Sequence, residues 1–172
     1  MMNQREIRIP VTRLKDYLGE VGITVTCLAE LSGINRLHLS KCLSGEVDER
    51  NGRQRTMSAD SQERLQEALH ELALKLKYTF ILYNEDLEVQ KRNGSRYCPD
   101  CVEQIKTQLS PYINILPFVQ HTLGWNRSKA RNIIDNKRSI TYGNISQDDV
   151  NRINITLAET AARLDLLTLT RG

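Results

Sequence analysis

Displacing the sequence by 91 positions against itself brings Val11 onto Val102, Leu14 onto Ile105, Lys15 onto Lys106 and Leu18 onto Leu109. The same displacement aligns Leu28 with Val119, Gly33 with Gly124, Ile34 with Trp125 and Asn35-Arg36 with Asn126-Arg127. After a loop three residues shorter in the second copy, the register resumes at 88. Met57-Ser58 then meets Ile145-Ser146, Asp60 meets Asp148, Arg64 meets Arg152 and Leu76 meets Leu164. One gap over so long an alignment, with apolar character kept on both sides, divides the 172 residues into two homologous units. The first is 1–77 and the second 98–172, with a connector at 78–97.

Each copy reads as helical. Pro10 suits the opening turn of a helix carrying Val11, Leu14 and Leu18 on one face. Ser58 is a good N-cap for a long helix whose stripe is Leu65, Leu69, Leu72 and Leu76, and Ser146 does the same for Val150, Ile153, Leu157, Ala161 and Leu164. Gly22, Gly33 and Gly45 punctuate the first copy where helices should end. The connector admits two readings. In one, the β-forming run Tyr78–Tyr83 and Leu87–Val89 make a short hairpin about Asn84-Glu85-Asp86; in the other, the preceding helix continues and frays.

The most informative stretch is Gly22–Glu46, GITVTCLAELSGINRLHLSKCLSGE. Two short helices joined by a tight turn need a small residue at their crossing, a glycine-like residue at the turn and apolar residues at fixed offsets. Ala29 is the small residue, Gly33 the turn, and Leu28, Ile34, Leu39 and Cys42 the apolar positions, while Asn35 caps the second helix. This combination resembles the helix-turn-helix of the lambda-repressor-like (Xre-type) DNA-binding family, over most of residues 10–77. The resemblance implies an all-α fold of two tandem domains of this kind, each with a recognition helix in the major groove. The second and third positions of that helix and the residue one turn on would face the bases, and they fall on Arg36, Leu37 and Lys41. Arg36 suits a guanine edge, Leu37 a thymine methyl, and Lys41 a base or a phosphate, with Asn35 and His38 adding backbone or edge contacts. The helix start, Thr24 to Thr26, would offer amides to a phosphate. Val25 stands where the family often has glutamine, which removes one polar contact. Outside such a motif, Arg36 and Lys41 would read simply as a solvated helix face.

The second copy, Asn114–Lys137, repeats the pattern with Gly124 at the turn, Trp125 apolar, Asn126 as the cap, and Val119, Leu123, Ala130 and Ile133 inside. Arg127, Ser128 and Asn132 take the groove-facing places, with Lys129 and Arg131 beside them. Gln120 departs from the pattern, standing where the first copy has Ala29; a longer polar side chain there either opens the helix crossing or swings outward. The loops after both recognition helices are basic, with Arg50, Arg53 and Arg55 in one and Lys137 and Arg138 in the other, which suits phosphate neutralisation.

The net charge is only +3, too mild for a protein that binds nucleic acid by bulk charge. The charge is unevenly spread, however. Asn35–Arg55 has five basic against three acidic residues and Asn126–Arg138 five against one, so the remainder carries −3. Two basic faces on a slightly acidic body fit a site-reader better than a non-specific binder. Aromatic residues make up 5% of the chain, thin for platforms that stack single-stranded bases. No apolar run approaches the roughly 18 residues of a spanning helix, and Met1–Pro10 lacks the apolar centre of a signal peptide, so the expected setting is cytoplasmic, with no membrane partner. Four cysteines in such a setting are packed or surface thiols rather than disulfides. Cys98-Pro99-Asp100-Cys101 is a lone CxxC without the second pair that tetrahedral zinc requires. His38, His70 and His121 lack metalloprotease spacing, and no nucleophile elbow or phosphate-cradling loop occurs. The expectation is therefore no enzyme, no cofactor and no metal.

These readings converge on a sequence-specific reader of double-stranded DNA, a transcriptional regulator that uses its two copies as an intramolecular pseudo-dimer. Because Arg36, Leu37 and Lys41 differ from Arg127, Ser128 and Asn132, its site should be asymmetric. The alternative is a protein-interaction module with degenerate helix-turn-helix copies, within a mobile-element or phage regulatory complex. A homodimer, or a protein partner bound through the connector or second domain, is compatible with either.

Overall fold

A computed structural model describes residues 6–90, 96–98, 100–135 and 145–170. Among them are eight α-helices and three two-stranded pairings. In the first half, strand β1 (Ile7–Pro10) runs into α1 (Val11–Gly19), followed by α2 (Val25–Ser32), α3 (Arg36–Ser44), the hairpin β2 (Val47–Asp48) and β3 (Arg53–Gln54), and the long α4 (Ala59–Lys77). The second half has α5 (Asp100–Leu109), α6 (Ile115–Leu123), α7 (Arg127–Ile134) and the long α8 (Gln147–Leu166), and ends on β6 (Leu167–Thr170). The expected stripes are the buried faces: Leu14 and Leu18 on α1, Leu65, Leu69, Leu72 and Leu76 on α4, and Ile153, Leu157 and Leu164 on α8. Ser58 caps α4 by accepting the Ser61 N–H, and Ser146 and Asp149 cap α8 reciprocally.

Strands the sequence reading does not contain tie the two halves together. β1 pairs in parallel with β6, Ile7 opposite Leu167 and Pro10 opposite Thr170, so the start of one half is sealed by the end of the other. Near the middle of the molecule Ile23 bridges Ile113, with Thr24 N–H donating to Tyr112 O at 3.2 Å and Asn114 N–H to Gly22 O at 2.7 Å. Gly22 sits there at φ +78°, and a Cβ on it would stand 2.9 Å from Asn114 O, so only glycine allows this approach. The most extensive packing between elements is that of α4 on α8. The hydrophobic core runs unbroken from Val11 and Leu14 through Phe118 and Leu169.

The same pairing recurs as a crossed pair of amide clamps. On α4, Gln66 donates to Leu167 O at 2.6 Å and accepts from Leu169 N–H at 2.7 Å. On α8, its repeat counterpart Asn154 accepts from Ile81 N–H and donates to Ile81 O, both at 2.9 Å. Each long helix thus holds the segment that follows the other one, which makes α4 and α8 antiparallel. This also corrects the connector. Tyr78–Tyr83 forms no strand, because the backbone of Ile81 is taken by Asn154 and that of Leu82 by Gln104, which both accepts from Leu82 N–H and donates to Leu82 O at 2.8 Å. The hairpin lies further on, as β4 (Val89–Gln90) paired with β5 (Arg96–Tyr97) after a 3-10 turn at Glu85–Leu87. No helix among the described residues is long and apolar enough to cross a membrane.

Candidate nucleic-acid interface

The turn before each candidate recognition helix is built as its residues require. α2 ends on Gly33 at φ +71° and α6 on Gly124 at φ +67°, both in the left-handed region that favours glycine. Asn35 Oδ1 then accepts from Leu37 N–H at 3.0 Å and His38 N–H at 3.2 Å, and Asn126 Oδ1 from Lys129 N–H at 2.7 Å. Leu28, Ala29, Ile34, Leu39 and Cys42 are buried in the first copy, and Val119, Leu123, Trp125, Ala130 and Ile133 in the second. The departure at Gln120 is accommodated with that residue half-buried.

With those positions inside, the outer turn of each helix is left to solvent. Asn35, Arg36, Leu37 and His38 are exposed on α3 and Lys41 is half-buried; Asn126, Arg127, Ser128, Lys129 and Arg131 are exposed on α7 and Asn132 is half-buried. Leu37 is 65% exposed, although the core of α3 begins two residues on at the fully buried Leu39. Among the described residues, neither Arg36 nor Arg127 is ion-paired. Two of the neighbouring groups are engaged locally: His38 Nε2 lies 3.7 Å from Cys42 Sγ, and Lys129 Nζ stands 4.8 Å above the Trp125 ring.

The surrounding basic residues divide. Arg50 and Arg53 are exposed on the β2–β3 hairpin, whose turn is held by Arg50 N–H donating to Asp48 Oδ1 and Arg53 N–H to Asn51 Oδ1. Arg55 does not belong with them. It is half-buried and lines a cavity with Val11, Cys42 and Met57, and its Nε is buried with no hydrogen-bond partner among the described residues. Nothing in the sequence marks Arg55 off from its neighbours, because its burial comes from packing between the hairpin and the start of α4. Thr24 also departs from expectation: its N–H is spent on Tyr112 O across the halves and its hydroxyl on Cys27 N–H, so it offers no amide to a phosphate. Lys137 and Arg138 lie outside the described residues.

All four cysteines are free and buried, so none is a surface thiol. Cys101 Sγ donates to Leu82 O at 3.7 Å, and burial, reinforced by the adjacent Cys98, pushes its thiol up to about 12. Burial raises Cys27 to about 11. Such thiols are poor nucleophiles. Among the described residues there is no cluster of three or more metal-binding side chains. Comparison of the chain with protein-family models, with curated proteins and with solved structures finds no match in any of the three.

Proposed function

We propose that the protein reads a specific duplex DNA site through α3 and α7, as two lambda-repressor-like helix-turn-helix units joined in one chain, and acts as a transcriptional regulator. One observation carries the reading: both halves expose the same turn of the same helix, capped by asparagine and opened by an arginine that has no ion pair among the described residues, with Leu37 projecting 65% exposed between Arg36 and His38. A leucine exposed at this position of the helix suits contact with a thymine methyl. The two halves are joined at the Ile23–Ile113 bridge, from which α2 leads to the turn before α3 and α6 to the turn before α7. The base-facing sets differ, Arg36, Leu37 and Lys41 against Arg127, Ser128 and Asn132, which favours an asymmetric site.

Selection of duplexes from a random pool, followed by titration at several salt concentrations, tests this. Arg36→Ala and Arg127→Ala should each lose about 1–3 kcal/mol on the best duplex and relax one base position. Loss through Arg36→Ala alone would make the second half a scaffold for the first. If no duplex is enriched, or neither change alters binding, the protein is not a DNA reader and the protein-interaction reading takes over.

A further inference from the structure

α4 and α8 form a shallow groove along their contact, lined by Ala73, Leu74 and Lys77 on one side and Ala158, Ala161 and Ala162 on the other. These are repeat-equivalent positions, 73 with 161, 74 with 162, and His70 and Lys77 with Ala158 and Asp165, so the groove lies on the axis that relates the halves. Leu74 and Tyr78 stand one turn apart on α4, and Ile155 lies one turn before Ala158 on α8. Phe80 and Leu82 flank the buried Ile81, whose backbone is fixed to Asn154 beside Ile155. These five large side chains are between 55% and 77% exposed.

We infer that a second copy of this chain docks on this groove, giving a dimer joined back to back through α4 and α8. Two observations identify the occupant. The first is area. At about 150–200 Å² per large side chain, Leu74 in the groove together with Tyr78, Phe80, Leu82 and Ile155 leaves roughly 500 Å² of exposed apolar surface. Ala158, Ala162 and the stems of His70 and Lys77 bring the patch towards the roughly 800 Å² per partner of a stable interface. The second is charge. The antiparallel helices put Lys77 near one end of the groove and Asp165 near the other, and neither is ion-paired among the described residues. A copy turned end for end sets Lys77 of each chain across from Asp165 of the other, twice over, as an isologous interface requires. Leu74 then projects towards a surface of alanines. None of the groove-lining residues belongs to α3 or α7. The inference stands independently of what those helices bind.

Sedimentation equilibrium of the full chain is the test. The expected species is twice 19.7 kDa. Leu74→Glu and Ala158→Arg, on opposite walls of the groove, should each weaken self-association about tenfold or more without altering helix content. Lys77→Glu should weaken it too, and adding Asp165→Lys should restore it. A single 19.7 kDa species at every attainable concentration overturns the proposal, and so does a dimer that neither groove substitution disturbs.

Discussion

Leu37 and Leu39 lie two residues apart on one short helix and so on opposite sides of it. Leu39 has no solvent exposure and Leu37 is 65% exposed, a difference produced by the direction of each side chain rather than by its chemistry. Leu39→Ala should therefore cost about 2–5 kcal/mol of stability through a lost contact and a cavity. Leu37→Ser should leave stability within about 0.5 kcal/mol while lowering affinity for the selected duplex, so urea denaturation and duplex titration separate the two. The buried thiols make a further prediction at this scale. Cys27 and Cys101 are raised from 9.0 to about 11 and about 12, chiefly by burial. A raised folded-state value means the protonated thiol is favoured by folding, so this contribution is intact below pH 9 and is lost as the pH climbs through 11 and 12. The urea midpoint should fall over that alkaline range, and less steeply in Cys101→Ala, with native-state thiols slow to alkylate at neutral pH. An alkaline profile unchanged by that substitution would exclude the thiol as its source. The buried set of each copy was legible residue by residue from periodicity and turn glycines. Arg55 was not, since its neighbours along the chain are exposed and only the fold brings Cys42 and Met57 around it.

At the scale of elements, local signals and long-range partners separate. Caps and stripes predicted α1 to α4 and their counterparts because the residues that decide a helix lie within a turn or two of one another. β1 and β6 were invisible for the opposite reason: four-residue strands carry little pattern, and each becomes a strand only by meeting a partner about 160 positions away. The β-forming run Tyr78–Tyr83 failed as a strand because amide side chains, not another backbone, satisfy Ile81 and Leu82. Those clamps are testable. Gln66→Ala leaves Leu167 O and Leu169 N–H, and Asn154→Ala leaves both backbone groups of Ile81, without their partners in a largely buried setting. Each should cost about 1–3 kcal/mol, with faster amide exchange at Leu169 in the first case and at Ile81 in the second. Exchange that rises uniformly along the chain would mean that the clamps contribute only to global stability.

For the whole molecule, the division into 1–77, 78–97 and 98–172 describes how the sequence repeats, while the packing describes what folds together. α4 packs on α8, β1 pairs with β6, and Phe118 shares one core with Leu14. A chain of residues 1–77 retains α1 to α4 but loses α8, β6 and Asn154. Its long helix would then expose apolar side chains that each contribute about 1.5–3 kcal/mol when buried, in a unit small enough that net stability is only a few kcal/mol. The full chain should accordingly unfold in one calorimetric transition, with equal van't Hoff and calorimetric enthalpies, and residues 1–77 alone should lack a cooperative transition. Two resolved transitions, or a folded 1–77, would make the contacts between halves a docking of independent units. A single transition has a consequence for recognition as well. On the proposed DNA reading, two recognition helices that share one core would not reorient separately, so the Ile23–Ile113 bridge and the α4–α8 packing would fix the spacing between half-sites. Inserting one base pair between the selected half-sites should then cost most of the contribution of one half, because it rotates that half-site by about a tenth of a turn and shifts it about 3.4 Å. Tethered but independent domains would absorb such an insertion with little loss.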